Sequence, residues 1–216
     1  QDFEVVAIEL IRHGVQDFLQ KGATSVQRIH QVLQLAAERQ RQEDSLRRKA
    51  RYDPLTGVLN RGELRAQLLK AISHANRDGH RGAVMLVDID DFKSINDSHG
   101  HRTGDAVLRD MAARLSSVVR TGDSVGRLGG DEFVVVLEGL TTREDAAAAA
   151  KKATEAARTE VVAGGRRVRV SASIGIALFP EQASEPQALL ELADKAMYAA
   201  KRKGKDTFCF YTSVEP

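Results

Sequence analysis

The hydrophobic pattern changes period several times along the chain, and each change marks an element. Residues 83–91 (AVMLVDIDD) form an apolar run bounded by Gly82 and by charges, the pattern of a buried strand. A period of two puts Val84, Leu86, Asp88 and Asp90 on one face and Met85, Val87 and Ile89 on the other. Residues 124–128 and 133–137 (FVVVL) are two more strand-forming runs. Gly129 and Gly130 lie between them, where positive φ has no steric cost, so the segment predicts a tight hairpin. Residues 167–178 predict a further strand and residues 207–211 a last one. Helical periodicity predicts helices over 62–77, 92–97, 106–119, 143–159 and 186–203, the last with Pro186 at its start and Gly204 past its end. Helices packed on a mainly antiparallel sheet make an α+β sandwich, assigned to residues 53–212.

The leading segment reads differently. Val26, Ile29, Val32, Leu33 and Ala36 fit a helical stripe, but continued by sevens the seam meets Gln40, Glu43 and Arg47, so its apolar character fades. Residues 23–52 are therefore expected to be a helical linker rather than a long stable coiled coil.

Composition narrows the function. The chain has 216 residues and is 42% apolar, with no long apolar run, and it predicts neither a signal peptide nor a membrane span. The lone Cys209 excludes an internal disulfide and fits a reducing cytoplasm. Residues 1–52 hold nine Lys/Arg and seven Asp/Glu, against 23 of each in the remainder. A neutral main domain with few aromatics argues against a nucleic-acid-binding protein.

The candidate chemistry lies at two acidic strand ends. Asp88 emerges where the residue 83–91 strand leaves the core, and a carboxylate there needs a cation, a donor or water. Asp131 and Glu132 follow the glycine pair of RLGGDEF (residues 127–133). If the strand and the hairpin are neighbours, Asp88 and Asp131 converge, and with a backbone carbonyl they form an all-oxygen site suited to Mg²⁺ or Mn²⁺. The competing structural readings are a solvated acidic turn at RLGGDEF and helix N-caps at Asp90 or Asp91.

Six stretches, in order, resemble the GGDEF family. They are DPLTGVLNR (53–61), VDIDDFK (87–93), NDSHGHRTGD (96–105), RLGGDEF, SIGIA (173–177) and ADKAMYAAK (193–201). The resemblance covers residues 50 to 211. It implies a palm-like fold shared with polymerases and nucleotide cyclases, and a diguanylate cyclase activity in which two GTP condense into cyclic di-GMP and two pyrophosphates. It also implies catalysis by a homodimer, each chain holding one GTP, with Mg²⁺ or Mn²⁺. In the family pattern Asp88, Asp131 and the Ile89 carbonyl are metal ligands. Asp131 stands at the position assigned to accept the 3′-hydroxyl proton, and Glu132 assists. Asn96 and Asp105 match the guanine-reading residues. A carboxylate accepts from guanine N1–H and its amino group, whereas adenine presents the opposite arrangement. The structural alternative for Asp105 is capping of the helix expected from Ala106. His101 borders the nucleotide or serves as a helix-end or packing histidine. Lys93, Lys201 and Lys205 match phosphate-binding positions. Lys205 departs from the arginine common there and loses the bidentate fork, and Asp91 stands where an apolar or aromatic residue is common.

Two further expectations come from the same resemblance. Arg120 and Asp123 match the RxxD inhibitory site that binds cyclic di-GMP. Residues 14–22 look like the end of a receiver domain, with residues 1–22 as its remnant and a plain linker as the alternative. The main competing function is a catalytically inactive domain that senses GTP or binds cyclic di-GMP.

Overall fold

The computed structural model describes residues 26–163 and 166–212, so the expected receiver remnant at 1–22 lies outside the described residues. The chain divides after Ala50 into two units. In the first, helix α1 (Val26–Arg51) leaves Leu33, Leu35 and Leu46 exposed. None of the helices among the described residues is long and apolar enough to cross a membrane.

The second unit runs α2 (Arg61–Asp78), β1 (Arg81–Ile89), α3 (Phe92–His99), α4 (His101–Val118), β2 (Ser124–Gly129), β3 (Glu132–Leu140), α5 (Arg143–Ala157), β4 (Thr159–Ala163), β5 (Arg166–Val170), β6 (Ala172–Phe179), α6 (Pro186–Arg202) and β7 (Phe208–Phe210). Five strands form one sheet in the order β2-β3-β1-β6-β7, antiparallel except for the parallel β6–β7 pair. β4 and β5 make a separate hairpin.

β1 is central, and helices cover both faces of the sheet, which is why its sequence is a continuous apolar run. Ala83, Met85, Val87 and Ile89 join the core beneath α4 and α5, with Val107, Met111, Leu115, Ala146 and Ala150. Val84 and Leu86 join the other core, beneath α2 and α6, with Leu64, Leu68, Leu189 and Met197. The period-two reading of β1 therefore holds, and it assigns Asp88 to the α2/α6 side. α6 lies almost on the sheet backbone: a Cβ on Gly175 of β6 would stand 1.9 Å from the Ala193 carbonyl. The helix ends follow local chemistry. The Asn60 side chain accepts from the Glu63 amide to open α2, and Thr142 and Asp145 form a capping box at α5.

Three expected boundaries are corrected. α4 starts at His101 instead of Ala106, because Gly104 is packed inside the first turn. Any side chain there would meet Asn96, whose Oδ1 lies 2.0 Å from the position of a Cβ. The single strand expected over 167–178 divides at Ser171 into β5 and β6. β5 turns away to pair with β4, so the alanine-rich helix stops at Ala157 and Thr159 begins a strand.

Candidate active site

The register of the sheet assembles the acidic site. β1 and β3 are antiparallel neighbours with Asp88 opposite Glu132, and the Ile89 amide donates to the Asp131 carbonyl at 3.4 Å. The hairpin tip thus lies beside the exit of β1, as the sequence requires for Asp88 and Asp131 to meet. Gly129 (φ 152) and Gly130 (φ 52) shape the tip. Arg127 braces it from below, donating through Nε and Nη2 to the Gly130 carbonyl at 3.0 and 2.6 Å and through Nη1 to Asp53 at 3.1 Å. Asp53 in turn accepts from the Thr56 amide and hydroxyl. Burial disfavours its charged form, but the Thr56 hydrogen bonds and Arg127 outweigh that, and its pKa sits below the ordinary aspartate value.

Electrostatics sets Asp88 and Glu132 apart from the other acids. Burial pushes the Asp88 pKa up. Lys201, whose Nζ is 2.9 Å from Asp88 Oδ1, pulls it back, and Asp131 and Asp90 push it up again. Burial likewise raises Glu132, followed by the charges of Asp88, Asp131 and Asp194. Negative charge is therefore crowded at one strand end, with Lys201 the cation paired to Asp88.

Among the described residues no three Asp, Glu, His or Cys side chains are grouped so as to hold a metal ion by themselves. Two carboxylates with the neighbouring Ile89 carbonyl fit a cation that takes few protein oxygens and completes its shell with water and phosphate, as Mg²⁺ does. Burial first, then the charges of Asp131 and Asp90, raise the Asp88 pKa, and a divalent cation there would offset both.

Around this centre the other expected residues divide. Lys201, in the last turn of α6, joins the acids directly. Lys205 stands in the following loop and pairs with Asp91 at 2.7 Å, a contact that raises its pKa. Lys93, the second residue of α3, is exposed and pairs with no carboxylate among the described residues. Asn96 packs over Gly104 at the α3–α4 corner, and Asp105 follows Gly104 half-exposed, with Arg109 4.0 Å away. His101 is exposed at the start of α4, which agrees with the helix-end alternative and not with a packing histidine. Asp105 lies inside α4, which rules out capping. Asp91 occupies the N-cap position of α3, but at φ 56 and without a side-chain capping bond.

Asp90 is not a cap either: its carboxylate accepts from Ser171, Ser173 and the Asp206 amide. A groove of about 820 Å³ beside α3 and the β4–β5 hairpin borders the site through Asp90, Asp91 and Asp206, but includes neither Asp131 nor Lys201. Farther off, Arg120 and Asp123 line a small cavity with Asp145 and Lys152. Asp123 accepts from the Arg120 and Glu138 amides at 2.9 and 3.2 Å.

Sequence reasoning missed Asp53, Arg127 and Asp90 as parts of this site. Ser171 and Ser173 were the available signal for Asp90, being two hydroxyls inside an otherwise apolar strand pattern.

Residues 50–207 match the family model described as diguanylate cyclase, GGDEF domain. The chain is 40% identical over 209 residues to the bifunctional diguanylate cyclase/cyclic di-GMP phosphodiesterase MucR of Pseudomonas aeruginosa, covering 97% of this chain and 29% of that protein. It is 38% identical over 193 residues to the diguanylate cyclase TpbB of the same species, covering 89% of this chain and 44% of TpbB. It therefore spans less than half the length of either relative. Among solved structures, the GGDEF domain of TpbB superposes with a TM-score of 0.72 at 40% identity, over 74% of this chain and 94% of that one. The coiled coil and GGDEF domain of DgcB from Caulobacter crescentus, solved in complex with c-di-GMP, superposes with a TM-score of 0.71 at 26% identity, over 87% of this chain and all of that one (100%).

Proposed function

The chain belongs to the GGDEF family, and from that premise we propose that it is a diguanylate cyclase, condensing two GTP into cyclic di-GMP with release of two pyrophosphates. The observation that carries this reading is the register of β1 against β3. It sets Asp88 opposite Glu132, brings Asp131 beside Ile89 and leaves Lys201 at 2.9 Å from Asp88.

Asp88, Asp131 and the Ile89 carbonyl are assigned to hold Mg²⁺ or Mn²⁺. When bound, a divalent cation lowers the pKa of the 3′-hydroxyl and offsets charge on the α-phosphate and leaving pyrophosphate. The chain's own groups do the rest. Lys201 and Lys205 hold the triphosphate, and Lys93 stands as fixed positive charge where negative charge develops. Glu132, whose pKa is raised by burial and by its acidic neighbours, assists with the nucleophile's proton. Asp105 accepts from guanine N1–H and the amino group, Asn96 supplies an amide beside it, and His101 borders the base. Two half-sites must face each other, so the active form is a homodimer in which each chain contributes one GTP. Residues 53–212 are assigned as the catalytic domain, with helix α1 (Val26–Arg51) as the linker. The need for GTP places the domain in the cytoplasm. Arg120 and Asp123 are assigned as the inhibitory site for cyclic di-GMP.

The test is incubation of the purified protein with GTP and Mg²⁺, followed by chromatography of the products. Cyclic di-GMP and pyrophosphate should form. Asp131→Asn should lower the rate about a hundredfold or more, the loss typical of removing electrostatic support for developing charge. Bound but unconverted GTP would instead make the domain a sensor.

A further inference from the structure

Asp90 has no part in the chemistry above, yet three donors converge on its carboxylate. It is only 6% exposed. Its Oδ2 accepts from Ser171 Oγ at 2.6 Å and from the Asp206 amide at 3.1 Å, while Oδ1 accepts from Ser173 Oγ at 2.7 Å. Its own amide donates to the Ser171 carbonyl at 2.9 Å. A buried carboxylate is costly unless donors converge on it. Here they come from two places distant in sequence: the β5–β6 junction and the loop between α6 and β7.

That loop cannot hold its shape unaided. Lys205 and Asp206 are successive non-glycine residues at φ 65 and 50, a left-handed pair that L-residues adopt only when other contacts over-determine it. Three contacts do so. The Asp206 amide donates to Asp90, the Lys205 amide donates to the Ala200 carbonyl, and Arg158 donates to Asp206 Oδ2 and its carbonyl at 2.6 and 3.2 Å.

The arrangement repeats along the exit of β1. Asp88, Asp90 and Asp91 each take one donor from the segment that ends α6: Lys201, the Asp206 amide and Lys205 respectively. The outer two are ion pairs to lysines that water reaches. The middle one is buried and involves no mobile side chain.

We propose that Asp90 is a positioning residue: it clamps the α6–β7 loop to the exit of β1 and so fixes the lysines that grip the β- and γ-phosphates of the nucleotide. The outer lysines exchange a carboxylate for phosphate when nucleotide enters, while the Asp90 clamp stays closed. This rests on the cyclase reading of Lys201 and Lys205 and adds a residue that touches no substrate.

Asp90→Asn keeps the volume but turns one acceptor oxygen into an amino group, so the clamp loses acceptors. The probes are 3′-deoxy-GTP, which lacks the attacking hydroxyl and cannot condense, and 3′-deoxy-GMP. Calorimetry with Mg²⁺ should show affinity for the triphosphate falling about tenfold, with the monophosphate changed by less than about twofold. Hydrogen exchange at the Asp206 amide should quicken in the same variant. Equal losses for both nucleotides would mean general damage and overturn the proposal, as would an undiminished triphosphate affinity or an unchanged exchange rate. If Asp90→Asn does not fold, Ser171→Ala removes a single donor. It should give a smaller loss in the same direction, confined to the triphosphate, and an equal loss for both nucleotides or none would overturn the proposal. Failure of the underlying reading looks different: the unaltered protein would then bind the triphosphate no tighter than the monophosphate, and the clamp's function would fall with it.

Discussion

At the scale of single residues, Glu132 shows most plainly how charge crowding shapes this site. It has no hydrogen-bond or ion-pair partner among the described residues, and burial with three neighbouring acids raises its pKa. A carboxyl whose folded value lies above its unfolded value holds its proton longer in the native state. Stability therefore falls as pH rises from the unfolded value through the raised one, and the penalty stays in full above it. Glu132→Gln should melt a few degrees higher than the parent at neutral pH without metal, and the difference should vanish below the ordinary glutamate range. An unchanged difference across that range would show that charge is not the cause. Mg²⁺ at about a hundredfold its Kd should raise the melting temperature of the parent by roughly 5–10 °C, and Asp88→Asn should abolish that shift. Asp88, Asp131 and Glu132 were legible because strand period and turn chemistry are local properties. Asp90 was not: Asp90 and Ser171 are read apart in sequence, and nothing between them announces that they touch.

At the scale of elements, the close approach of α6 to β6 holds the site together. Lys201 reaches Asp88 because the helix that carries it rests on a strand without a side chain at Gly175. A methyl there would collide with the Ala193 carbonyl and the Met197 amide, both backbone atoms with little freedom to retreat. Gly175→Ala should cost about 3 kcal/mol or more of stability, near the upper end for overpacking. Denaturant unfolding measures this, and a cost under about 1 kcal/mol would contradict the flush packing. The strand and helix cores read well from sequence, since burial on both faces of β1 leaves a continuous apolar run. The boundaries read less well for a physical reason. Gly104 looks like a break in the helical pattern until Asn96 is seen packed against it, and the β4–β5 hairpin is a tertiary choice that local propensity does not decide.

At the scale of the whole molecule, the proposed reaction gives each chain one half-site, so control would act on how two copies meet. In the proposed inhibitory site the two residues have separable duties. Asp123 is tied to the Arg120 and Glu138 amides, whereas the Arg120 side chain is exposed and makes no ion pair among the described residues. Arg120→Ala should raise the inhibition constant for cyclic di-GMP about tenfold or more with stability unchanged. Asp123→Ala should also cost about 1–2 kcal/mol of stability, because backbone amides lose their acceptor. Unaltered product inhibition in Arg120→Ala would remove the assignment. This pair was legible only through its offset from RLGGDEF, since an Arg and an Asp three residues apart carry little information alone.

The central claim is that Asp88 and Asp131 share a cation held against the phosphates of GTP. Crystals grown with Mn²⁺ and 3′-deoxy-GTP test it most directly through the anomalous signal of the metal. A peak is expected within about 2.3 Å of oxygens from Asp88, Asp131 and the Ile89 carbonyl, with triphosphate oxygens completing the shell. A peak bound elsewhere, or a triphosphate that lies away from these carboxylates, would contradict it.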